Sequence, residues 1–339
     1  MIEVVKKLIA SKTKLDAIII ETTGLADPAP VCQTFFVDPD VEKYARLDAV
    51  VTVVDAKHIA QHLDEVKPEG VENEAVEQVA FADRILLNKC DLVSEEELVA
   101  LESRLKSMNH VAHIIRTQLN ASSLPLDKIM GLNAFSLDRV LAVDSEFLEE
   151  SHGHHHESSV GSVGFSFQGD MNLTLLEDWI MDLLQLKGND LYRYKGILAI
   201  KGMSKKYVFQ GVHMTFDGMY TTEWKPSEVR INRFVFIGKN LDRDELKKDF
   251  MECLVTEEPR FPIGSKVVCL VQENWIDGTV QSHWEEGNPY RVILENGTEH
   301  WIFDDDDCYI RQAFPIKRKP SPCQDQGESR PAKQFFVTD

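Results

Sequence analysis

The first 145 residues alternate short apolar runs with longer stretches of helical period. Residues 17–20 form a continuous apolar run, the pattern of a parallel strand buried on both faces. Residues 49–54, 84–87 and 111–115 read as further strands. Between these runs, Asp27 is placed to cap a helix that has Pro28 at its first position, and residues 72–82 have helical spacing. Ser94 and Glu97 fit a capping box for a further helix reaching about Met108. Alternation of this kind predicts a doubly wound α/β sheet with ligands at the carboxyl ends of its strands. Glu21, Asp55 and Asn88 lie at such ends.

The pattern then changes twice. Residues 146–162 are acidic, then histidine-rich, then rich in Ser and Gly, and read as a linker. Residues 163–256 contain strands at 163–167, 191–200, 206–214 and 230–237, with helices at 174–186 and 243–254. That order predicts a compact α+β unit with an antiparallel sheet. Residues 260–313 carry short strands separated by Gly and Asn turns, with Asn296-Gly297 as the strongest hairpin signal. They predict a small all-β SH3-like or Tudor-like barrel. Its Trp275, Trp284, Tyr290 and Trp301 are needed mainly as core, with an aromatic cage for a methylated lysine as the sharper alternative. A protein-interaction module with an unknown partner is the preferred reading. Residues 314–339 are polar and Pro-containing, as expected of a disordered tail.

Two motifs carry chemistry. Glu21-Thr22-Thr23-Gly24 ends the first apolar run with a carboxylate and a flexible turn, suited to magnesium-bound phosphate. Asn88-Lys89-Cys90-Asp91 ends a later strand as N-K-x-D. An aspartate there can accept from the N1–H and 2-amino group of guanine while the lysine stem covers the ring. Either motif alone is weak; both in order on successive strands are much stronger. The sequence contains no G-x-x-x-x-G-K-[ST] phosphate loop. Such a loop would precede Glu21 by many residues, so the first domain is expected to begin upstream of Met1.

These segments resemble the CobW family of metal-handling GTPases. The resemblance rests on E-T-T-G-L-A-D-P at 21–28, V-T-V-V-D-A at 51–56, N-E-A-V-E-Q-V-A-F-A-D at 73–83 and N-K-C-D at 88–91. Q-G-V-H at 210–213, Trp224 and N-R-F-V-F-I-G-K-N-L-D at 232–242 are similar to the family's C-terminal domain. The likeness is greatest to the eukaryotic zinc-regulated GTPase metalloprotein activators and runs to about residue 256. It implies a GTPase domain over 1–145, a CobW C-terminal domain over 163–256, and GTP, Mg2+ and Zn2+ as ligands. It puts Glu21 beside the magnesium and the attacking water, the Gly24 amide on the terminal phosphate, and Asn88, Lys89, Cys90 and Asp91 at the guanine, with the Cys90 side chain turned away from the base. It implies a zinc metallochaperone that couples GTP hydrolysis to transfer of zinc to a client metalloprotein. The family's C-x-C-C metal motif is absent from this sequence. A non-enzymatic scaffold derived from the same fold is the alternative.

Composition narrows the partners. The net charge of −19 disfavours a nucleic-acid backbone. No run of about 18 apolar residues spans a membrane, and there is no signal peptide, so a reducing cytoplasmic setting is expected, with a nuclear one open. Six cysteines without C-x-x-C spacing disfavour a disulfide framework or zinc knuckle. His152, His154, His155 and His156 are the remaining metal-like cluster, read with equal weight as a weak zinc site and as a solvated spacer. His58 and His62, one helical turn apart, read as surface residues.

Overall fold

A computed structural model of the chain describes residues 2–9, 15–24, 26–38, 41, 43–68, 73–121, 124–134 and 160–313. The first helix, α1, is Ile2–Ile9, with Val5 buried. Helix α2, Ala29–Val37, starts one residue later than its Pro signal implies, and Asp27 Oδ1 accepts from the Ala29 amide at 2.7 Å. Three parallel strands follow: β1 (Val51–Asp55), β2 (Arg84–Asn88) and β3 (His113–Arg116), ordered β1-β2-β3. They are linked by α3 (Ile59–Leu63), α4 (Glu74–Phe81) and α5 (Glu95–Met108). The capping box of α5 is present: Ser94 Oγ accepts from Glu97 N at 3.3 Å, and Glu97 Oε2 accepts from Ser94 N at 2.7 Å.

One expectation about this sheet is corrected. Residues 17–20 form no strand among the described residues, and Ile19 is 76% exposed. An apolar run becomes a strand only when neighbours accept its backbone groups, and here no described strand flanks it. Helices α3, α4 and α5 pack with Val54, Ile85, Leu87 and Ile114 on one sheet face, while Val53 on the other face is 56% exposed.

The second domain is a five-stranded antiparallel sheet ordered β4-β8-β5-β6-β7. Its strands are β4 (Val160–Gln168), β5 (Leu191–Leu198), β6 (Lys205–Val212), β7 (Thr215–Glu223) and β8 (Ile231–Lys239). Strand β7 was not foreseen, and β4 begins at Val160, three residues before its expected start at 163. Helices α6 (Leu173–Lys187) and α7 (Arg243–Glu252) cover one face through Leu176, Ile180, Leu246 and Phe250 against Phe165, Phe209 and Phe234. The opposite face meets the first domain. A bulge between Leu191 and Arg193 breaks the alternation of β5. It turns both Tyr192 and Arg193 toward that seam, which plain alternation forbids. There Ala29 and Cys32 of α2 and Ala80 and Phe81 of α4 pack on Tyr192, Val212, Val235 and Ile237.

The last unit is a five-stranded antiparallel sheet of β9 (Lys266–Val271), β10 (Asn274–Glu285), β11 (Asn288–Leu294), β12 (Glu299–Ile302) and β13 (Ile310–Gln312). Its order is β12-β11-β10-β9-β13, so β12 and β13 end the sheet unpaired with each other and the expected closed barrel is not formed. The Asn296-Gly297 turn joins β11 and β12, with Gly297 at φ 80°. Tyr290 is fully buried in the core. Trp275 and Trp301 instead lie under the guanidinium groups of Arg311 and Arg291, at 4.1 and 5.5 Å. One face of each ring is thus occupied by the chain's own cation. The Trp284 backbone lies against Gly202, where a β-carbon would fall 1.8 Å from the Trp284 carbonyl oxygen. That close approach seats the module on the second domain.

Candidate functional site

The parallel register sets Asp55 directly opposite Asn88 at the carboxyl ends of β1 and β2. Asn88 is fixed by its side chain, whose Oδ1 accepts from the Leu119 amide at 2.8 Å. The Thr117 amide in turn donates to Leu87 O at 2.7 Å. Lys89 follows in the left-handed conformation, φ 61° and ψ 35°, and a short 3-10 turn over Cys90–Leu92 comes next. Cys90 Sγ donates to Leu87 O at 3.1 Å. Asp91 is exposed on that turn and makes no side-chain hydrogen bond among the described residues. A free carboxylate beside an ordered Asn and a partly exposed lysine stem is an acceptor pair with a cover. Those are the parts a guanine edge requires.

Asp55, which sequence reasoning left undecided, is heavily bonded. Its Oδ2 accepts from Lys89 Nζ at 2.6 Å and meets His58 Nδ1 at 3.0 Å, while Oδ1 accepts from the Lys57 amide at 2.9 Å. Partial burial raises its pKa, but the bonds from Lys89, His58 and Lys57 outweigh that and hold the carboxyl well below the usual range. His58 thus has a partner that its i, i+4 spacing with His62 did not foretell.

Glu21 and Gly24 lie on an exposed segment, and nothing stands within 4 Å of where a Gly24 β-carbon would be. Sequence reasoning missed the residue that tethers this turn. Gln78 on α4 donates Nε2 to Ala26 O at 2.9 Å and to Gly24 O at 3.4 Å. The backbone carbonyl of Gln78 accepts from Thr52 Oγ1 at 2.8 Å, tying the same point to β1. The turn therefore connects through Gln78 to the helix that faces the second domain.

His152, His154, His155 and His156 lie outside the described residues. Among the described residues no group of three or more His, Cys, Asp or Glu is arranged to hold a metal ion. The thiols of Cys32, Cys253 and Cys269 are pushed up to about 12 by burial, which makes them poor thiolate donors.

Comparison with known proteins decides the family. Residues 1–116 match the CobW/HypB/UreG nucleotide-binding domain, and residues 160–254 match the cobalamin synthesis protein cobW C-terminal domain. A zinc chaperone named CobW from Pseudomonas aeruginosa is 30% identical over 261 residues, which cover 71% of this chain and 67% of that protein. The chain belongs to the CobW family. Zinc-regulated GTPase metalloprotein activator 1 of Saccharomyces cerevisiae is 27% identical over 278 residues, covering 70% of this CobW-family chain and 62% of the yeast protein. The crystal structure of the Zn(II)-bound YjiA GTPase from E. coli aligns with TM-score 0.58 and 27% identity, over 68% of this chain and 69% of that one. The matches leave the module at 260–313 uncovered by either family domain. Among the described residues no helix is long and apolar enough to cross a membrane.

Proposed function

We propose that this CobW-family chain recognises guanine nucleotides through Asn88, Lys89 and Asp91 as part of a zinc metallochaperone that activates a client metalloprotein. The observation that carries the reading is the strand-tip geometry: an anchored Asn88, a left-handed Lys89 and an uncommitted Asp91 within four residues. In this reading GTP with Mg2+ is met at Glu21 and Gly24, and hydrolysis releases the turn that Gln78 holds against α4. Zinc is cargo. No described cluster fits it, so no step is assigned to described side chains; His152, His154, His155 and His156 are candidates for a weak, transient zinc contact. The module at 260–313 acts as a protein-interaction element, and the cytoplasm is the setting. Residues 1–339 hold no phosphate loop, so they are expected to bind the base end of the nucleotide with GTP turnover at background.

Base exchange tests the reading. Asp91→Asn replaces an acceptor with a donor opposite the guanine N1–H and 2-amino group. It should weaken GDP by about 1–3 kcal/mol and improve xanthosine diphosphate, whose 2-position is a carbonyl. Titration followed by saturation-transfer NMR reads both ligands even when binding is weak. Unaltered affinities for both would remove Asp91 from the base site.

A further inference from the structure

We propose that Asp55 is the positioning residue of the base site, holding Lys89 so that its methylene stem lies across the purine ring. The inference rests on the base-site reading above and adds to it a residue outside the N-K-x-D motif. Three observations carry it. The β1–β2 register places the Asp55 backbone opposite Asn88, one residue from Lys89, so the bond from Lys89 Nζ needs no long reach. The carboxylate is itself oriented, because the Lys57 amide holds Oδ1 and leaves Oδ2 for Lys89 and His58. Lys89 adopts φ 61°, a conformation that a β-carbon disfavours and that Gly, Asn or Asp would take more readily. The backbone therefore aims the lysine, and Asp55 catches its end.

An ordinary exposed ion pair would show none of this convergence. Lys89 keeps 47% of its side chain exposed, so its stem is accessible while its ammonium is fixed. Cover without freedom is what a stacking residue requires, since a lysine that must be ordered at each binding event loses rotamer entropy on every encounter. His58 is the other side chain on Oδ2, and it supports the carboxylate rather than the base.

The test has two arms. In the first, GDP affinity is followed by saturation-transfer NMR for wild type, Asp55→Asn, Asp55→Glu, Lys89→Met and Asp55→Asn/Lys89→Met. Asp55→Asn should weaken GDP about three- to tenfold, Asp55→Glu should recover part of the loss, and Asp55→Asn should add nothing in the Lys89→Met background. An equal loss in both backgrounds means that Asp55 does not act through Lys89, and overturns the proposal. The second arm needs no nucleotide. Acylation of Lys89 by an N-hydroxysuccinimide ester, read by mass spectrometry, should be severalfold faster in Asp55→Asn than in wild type. Equal rates overturn the hold itself. A wild-type chain that shows no GDP contact overturns the base-site reading and the role assigned to Asp55 with it, and the acylation arm separates that outcome from a missing hold.

Discussion

Asn109 shows how much one buried polar residue can organise. It is fully buried, and its Nδ2 donates to the carbonyls of Val79, Ala80 and Ala82 at 2.8, 3.0 and 2.8 Å, while Oδ1 accepts from the Ala112 amide at 3.0 Å. The last carbonyls of a helix have no intrahelical partner, so one side chain here closes α4 and fastens the end of α5 to it. Asn109→Ala would remove the side-chain partner of the Ala80 and Ala82 carbonyls and of the Ala112 amide, while Val79 O keeps the Ala82 amide at 3.3 Å. We expect a loss of about 2–4 kcal/mol in urea unfolding, with an unchanged denaturant slope. Nothing in the sequence marked this residue, because a single Asn before an apolar run reads as a turn. The site residues were more legible. Asn88, Lys89 and Asp91 were visible because the roles proposed for them require particular functional groups at fixed spacing. Asp55 was only half visible, since its Lys89 partner arrives through strand register.

At the scale of elements, pattern predicted best where helix and strand are closed locally. Helix α5 starts at its capping box and reaches Met108, and β2 ends at Asn88, one residue beyond the 84–87 segment. Periodicity failed where identity depends on a distant neighbour. Residues 17–20 have strand composition without a strand beside them, and β7 has a mixed sequence that becomes a strand by pairing with β6. The Gln78 tether is another such long-range feature, crossing 52 residues to Ala26. Its removal should act locally. Gln78→Ala is expected to speed amide exchange at Gly24 and Ala26 and to sharpen proteolysis in that turn, while costing about 1 kcal/mol of global stability. Unchanged exchange at both residues, with the fold intact, would mean that the turn is held by its backbone alone.

Across the whole molecule, the first two domains meet through an apolar seam with a buried ion pair beside it. Arg193 donates to Phe81 O at 2.9 Å and pairs with Asp83, whose other oxygen accepts from Val50 N at 2.9 Å. His213, at φ 49° between β6 and β7, sets its ring 5.5 Å from those of Phe81 and Tyr192. Helix α2, which begins just after the Glu21–Gly24 turn, is part of this seam, so the turn and the second domain share one packed layer. Glu77 lies buried on α4 in the same region. Burial raises its carboxyl, with the nearby charges of Asp27 and Glu74 adding to it, to about 7. The sign follows directly. The folded chain keeps a proton on Glu77 between about pH 4.5 and 7 where the unfolded chain releases it, so stability is favoured below that window and lost as pH rises through it. Glu77→Gln keeps the shape and removes the titration. It should match wild type near pH 4 and exceed it by about 1–2 kcal/mol at pH 8, a figure discounted for the solvent that reaches the seam. Thermal melting at pH 4, 6 and 8 measures this. A variant no more stable than wild type at pH 8 would show that the seam already compensates the Glu77 charge.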